Sequence, residues 1–65
     1  MNNELNINLI FDYIKNNNLT KTEFCRKCKI STSTFYKIVN GKDFKVVALF
    51  KMAKIMKLEP YRFFE

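Results

Sequence analysis

The stretch LTKTEFCRKCKISTSTFYKIVNGK, residues 19–42, decides the fold, because it spells two short helices with a tight turn between them. Thr20 and Glu23 stand at the T-x-x-E spacing of a capping box, in which each side chain satisfies a backbone N–H near the other. Leu19 just before the cap and Phe24 four residues after it are placed to close a hydrophobic staple. The helix so begun is predicted to run to about Cys28, with Phe24, Cys25 and Cys28 turned inward. Lys29-Ile30-Ser31 then breaks it. Ser31 can cap a second helix, and Ile30 can staple to Phe35 as Leu19 does to Phe24. This second helix carries Phe35, Ile38 and Val39 on its buried side, with Thr32, Ser33, Tyr36, Lys37 and Asn40 pointing elsewhere. Gly41 ends it, where a residue with positive φ is usually needed.

The outer face of that second helix is the most informative feature of the chain. Its residues are hydrogen-bonding and of short to medium reach, and no acidic residue stands among them. An ordinary solvated face would mix Glu with Lys for i, i+4 pairing. A face offered to phosphates and base edges would avoid carboxylates.

Outward from this unit, Ile7, Ile10, Phe11 and Ile14 form an apolar stripe at helical period, predicting a helix from about Asn8 to Asn16. Asn16-Asn17-Asn18 stops it, since Asn competes for backbone hydrogen bonds and tolerates left-handed geometry. After a loop at Lys42-Asp43-Phe44-Lys45, a further helix is predicted from about Lys45 to Met56. Val46, Leu49, Phe50, Ala53 and Met56 are its expected inner stripe, with Lys51, Lys54 and Lys57 outside. A basic amphipathic helix can also lie on a membrane surface, but a core in need of closing favours packing. Pro60 suits the first turn of a short fifth helix, with Phe63 tucked inward and Phe64 or Tyr61 partly exposed. The expected architecture is all-α: a compact bundle of about five short helices in a single domain, residues 1–65, without repeats or linkers.

Composition agrees. Sixty-five residues lie near the lower limit for folding without metal or disulfides, and a chain 48% hydrophobic compensates for that size. One Gly and one Pro are too few turn-formers for an all-β fold. The formal net charge is +6, and residues 19–57 alone carry ten basic and two acidic side chains. Such a concentration fits a nucleic-acid binder; it also fits a basic surface kept for solubility. No run of 18 apolar residues exists to span a membrane. The start, Met1-Asn2-Asn3-Glu4, has no basic region followed by an apolar stretch, so no signal peptide is visible and a cytoplasmic, nucleoid-associated address is expected. Cys25 and Cys28 form a C-x-x-C, open to a redox or metal role. Zinc needs four ligands, however, and the chain has no other Cys and no His. At i, i+3 on one helix face, packing as small hydrophobes is the favoured reading.

The segment from Leu19-Thr20-Lys21-Thr22-Glu23-Phe24-Cys25 through Ile30-Ser31-Thr32-Ser33-Thr34-Phe35 to Asn40-Gly41-Lys42 resembles the Cro and phage-repressor type of helix-turn-helix, the xenobiotic-response-element family. The resemblance extends through Leu49-Phe50-Lys51-Met52-Ala53-Lys54 to Leu58-Glu59-Pro60-Tyr61-Arg62-Phe63-Phe64, covering about residues 7–64. It implies a lambda-repressor-like DNA-binding domain. Cys25 then takes the place of the small residue, usually Ala, that lets the two helices approach. Ile30 is the buried residue of the turn and Ser31 the cap of the recognition helix. Thr32, Ser33 and Lys37 fall where the family often touches base edges, with Tyr36 beside them. Thr20, Lys21, Asn40 and Lys42 match places that commonly hold the DNA backbone. The family often has Gln at the place of Lys21, Gly at that of Lys29 and Glu at that of Val39. A Lys forced to positive φ costs on the order of 1 kcal/mol, so the turn at Lys29 is expected to deviate slightly.

The function expected is sequence-specific double-stranded DNA binding by a transcriptional regulator, a repressor in preference to an activator. A pseudo-palindromic operator and a homodimer on DNA are expected, because a single module buries too little surface for genomic specificity. Regulation would come through concentration, competition or a regulatory protein partner. The alternative is a protein-interaction module of the same fold, such as an antirepressor. An enzyme is not expected: no His, no Gly-rich phosphate loop and no carboxylate cluster occur. No catalytic residue, metal or cofactor is therefore assigned.

Overall fold

The computed structural model describes residues 5–64; the reading of the Met1–Glu4 start lies outside them. Four α-helices follow one another: α1 (Asn8–Asn16), α2 (Lys21–Cys28), α3 (Thr32–Val39) and α4 (Val46–Met56). The fifth segment, Pro60–Phe64, is a 3-10 helix rather than an α-helix. No strand occurs among the described residues, and no helix is long and apolar enough to cross a membrane.

Local chemistry sets the helix ends. The capping box closes α2: Thr20 Oγ1 accepts from the Glu23 amide at 3.0 Å, and Glu23 Oε1 accepts from the Thr20 amide at 2.8 Å. Ser31 caps α3, its Oγ accepting from the Thr34 amide at 3.0 Å and donating to Thr34 Oγ1. At the other ends one device recurs. Asn18, Lys29, Gly41 and Lys57 all take positive φ. The residue after each donates back five positions, Leu19 to Ile14, Ile30 to Cys25, Lys42 to Lys37 and Leu58 to Ala53, at 2.8–3.0 Å. This is the Schellman closure, which satisfies carbonyls the helix leaves orphaned. The turn at Lys29 thus keeps the left-handed conformation (φ 58, ψ 42) despite its side chain, against the expected deviation. Leu19 and Ile30 serve twice, closing one helix and leading directly into the cap of the next. Both pack against the core.

That core is one cluster to which every element contributes: Ile10 and Ile14 from α1, Phe24 from α2, Phe35 from α3, Leu49 from α4 and Phe63 from the 3-10 helix are all buried. Fully burying an aromatic side chain contributes about 1.5–3 kcal/mol, and Phe24, Phe35 and Phe63 are each 0% exposed. The chain ends are tied together where the Asn6 amide donates to the Phe63 carbonyl at 2.7 Å. The Tyr13 hydroxyl reaches the Ile55 carbonyl, in the last turn of α4, at 3.4 Å.

One expected stripe is corrected. Leu49, Ala53 and Met56 are buried as expected, but Val46 and Phe50 are 57% and 53% exposed, and Ala48 and Met52 are buried in their place. Between Val46 and Met56 only Lys51 and Lys54 are polar, so the helix is apolar on most sides and its period does not fix its rotation. Packing does: Ala48 and Ala53 lie buried in the core cluster while Val46 and Phe50 do not. Of the residues expected at the chain's end, Phe63 is buried, and both Tyr61 and Phe64 are exposed.

Candidate nucleic-acid interface

The face of α3 is built by its two ends and by its core contacts. Ser31 fixes where the helix starts, and Phe35 and Ile38, both 0% exposed, fix which side turns inward. Thr32, Ser33, Tyr36 and Lys37 are left exposed on the opposite side, with Asn40 exposed at the C-cap. Four of these fall within about 140° of the helix circumference at 3.6 residues per turn. No carboxylate lies on α3. Its eight residues rise about 12 Å, a length suited to a groove of B-DNA.

The expected backbone contacts flank this face in two pairs. Thr20 and Lys21 stand exposed at the start of α2; Asn40 and Lys42 stand exposed past the end of α3. The Thr20 hydroxyl accepts the Glu23 amide as a cap. The nearby carboxylate of Glu23 is engaged with Thr20: the Thr20 amide, then its hydroxyl, hold Glu23 below the usual carboxylate range. It remains ionised at neutral pH, turned into the cap. Lys21 and Tyr36 are brought together, with the Lys21 ammonium 5.9 Å from the Tyr36 ring centroid and 5.9 Å from that of Phe11.

A cleft on the other side of α3 runs between the α2–α3 turn and the start of α4. Lys29, Lys37, Lys45 and Lys51 line it together with Asp43, over Ile30 and Phe44. The Lys51 ammonium donates to the Lys29 carbonyl at 3.4 Å. The sequence places Lys37 among the base contacts and Lys29 in the turn, but nothing in it joins them to Lys45 and Lys51. The four lysines lie 8, 8 and 6 positions apart, a spacing that signals nothing until the helices pack. The α4 N-terminus beside the cleft has no side-chain cap.

Cys25 and Cys28 are buried free thiols. Burial raises both, and Cys28 is pushed up to about 11 by desolvation and then by the neighbouring Cys25. A thiol acting as nucleophile or ligand needs the opposite shift. Among the described residues no group of three or more His, Cys, Asp or Glu converges as a metal site would require.

No protein-family model, curated protein or solved structure matches this chain.

Proposed function

We propose that this chain is a sequence-specific double-stranded DNA-binding regulator, a lambda-repressor-like helix-turn-helix domain that represses by occupying its operator. The observation that carries the reading is the exposed, carboxylate-free face of α3, set between lysines on both sides. Thr32, Ser33, Tyr36 and Lys37 read base edges in the major groove, where each base pair has a distinct donor and acceptor pattern. Thr20, Lys21, Asn40 and Lys42 hold phosphates, which fixes the register of the helix in the groove. The uncapped start of α4 leaves amide groups for a further phosphate, in line with the helix dipole. Two copies act on a pseudo-palindrome, with half-sites about one helical turn apart.

Selection from random duplex DNA tests this. The expected result is enrichment of one short, two-fold symmetric sequence, bound with a steep salt dependence. Failure to enrich any sequence sinks the proposal.

A second reading has one observation in its favour. Tyr61 and Phe64 are 61% and 54% exposed, and Phe64 lines an open groove with Leu5, Val39 and Phe44. An interaction module would use such an end to hold a protein partner. A gel shift with non-specific duplex at two salt concentrations separates the readings, since a pure interaction module shows no salt-dependent shift.

A further inference from the structure

Four side chains from three helices close one ring of contacts at the edge of α3. Phe11 on α1 is half-buried, Lys21 opens α2, and Tyr36 is exposed on α3. The Lys21 ammonium stands equally close, at 5.9 Å, to the centroids of Phe11 and Tyr36. Behind it the rings join through Phe35. Phe11 meets Phe35 edge to face at 6.3 Å and 88°, and Phe35 meets Tyr36 at 5.6 Å and 79°. Phe35 is 0% exposed, so the outer rings are anchored in the core.

We propose that Lys21 is a positioning residue for Tyr36, its ammonium clamped between the Phe11 and Tyr36 rings so that it sets which base edge Tyr36 meets. The consequence for bases rests on the DNA-binding reading; the clamp itself does not. An aromatic face attracts a cation within about 6 Å of its centroid. Among the described residues no carboxylate pairs with Lys21 and no hydrogen bond holds the Tyr36 hydroxyl, so these ring contacts are what orders both groups. Tyr36 is 47% exposed, and a ring so exposed would otherwise exchange rotamers on the ps–ns timescale. Phe11 matters because it sits on another helix, so the ammonium cannot follow Tyr36 away. A plain phosphate contact weakens all sequences together when removed. A clamp that sets the Tyr36 ring changes which sequence is preferred.

Two measurements test this. In NMR of the free protein, the terminal methylene protons of Lys21 should lie upfield of those of the other lysines, under the ring currents, and should move part of the way back in Tyr36→Leu, where the Phe11 ring alone remains. Ordinary lysine shifts in the wild type would overturn the clamp. In duplex selection, Lys21→Met should change preference about tenfold at the base pair that Tyr36→Leu relaxes. Lys21→Arg, which keeps a cation over the rings, should restore it. Uniform weakening with unchanged preference would overturn the positioning role. If the upfield signature is present and the wild type prefers no sequence, the clamp stands and the DNA reading fails.

Discussion

Lys29 and Lys57 hold φ of 58° and 59°, a region that costs a residue with a Cβ about 1–2 kcal/mol. Gly41, at φ 72°, holds the same place at the end of α3 without that cost. Lys29→Gly and Lys57→Gly should therefore each stabilise the fold by about 0.5–1 kcal/mol, part of the strain relief being offset by unfolded-chain entropy. Urea unfolding with an unchanged slope would measure it, and a loss of stability in both variants would refute the strain argument. On the recognition face, Lys37→Ala and Ser33→Ala should each weaken binding to the selected sequence by about 1–3 kcal/mol and relax one or two base pairs. Retention of full preference in both variants would remove α3 as the reading element. The buried thiols make a third test. Because Cys28 titrates near 11 in the fold, a thiol reagent should react slowly with the native protein at neutral pH and quickly in denaturant. A raised acid stabilises the fold below its unfolded value, and that contribution is lost as pH climbs toward about 11. The high-pH decline in stability should accordingly be shallower in Cys28→Ala.

At the scale of elements, α2 and α3 show how much a short sequence can specify. T-x-x-E and Ser31 mark both starts because a cap is a bond between residues three apart, made the same way in any fold. The C-terminal ends were legible at Asn18 and Gly41, whose residue types favour positive φ. They were not legible at Lys57, where only an apolar Leu58 after the last helical turn hints at the closure. Helix α4 marks the other limit, since its period admits more than one rotation. Its orientation can be tested by truncation. Met52→Ala, at a site 0% exposed, should cost about 2–5 kcal/mol. Phe50→Ala, at a site 53% exposed, should stay within about 0.5 kcal/mol of wild type. Reversal of that order would place Phe50 inside and restore the stripe expected from sequence.

Across the whole molecule, the charge is distributed so that lysines border both sides of α3 while others lie well away from it. Lys42 follows the end of α3, whereas Lys54 and Lys57 lie at the far end of α4. Lys42→Gln should weaken specific and non-specific duplex together, leaving their ratio nearly unchanged. It should also flatten the log–log salt slope by about one unit per bound subunit. Lys54→Gln and Lys57→Gln should leave the slope as it is. The opposite pattern would mean that DNA lies on another face. The chain is compact: its radius of gyration, 10.9 Å, is near the roughly 10–11 Å expected for a folded chain of this length.

The amino-acid order by itself determined the helices and their starts, because caps, staples and periodicity act between residues within one turn of each other. It also determined the carboxylate-free face of α3, since Phe35 and Ile38 on one side leave Thr32, Ser33, Tyr36 and Lys37 on the other. Only the tertiary structure decided which side of α4 is buried, because that depends on how closely two helix axes approach. It alone brought Phe11, Lys21 and Tyr36 together from three helices and set Lys29, Lys37, Lys45 and Lys51 around one cleft. Contacts between residues far apart in the chain follow from the packing of whole elements, and local pattern carries no record of them.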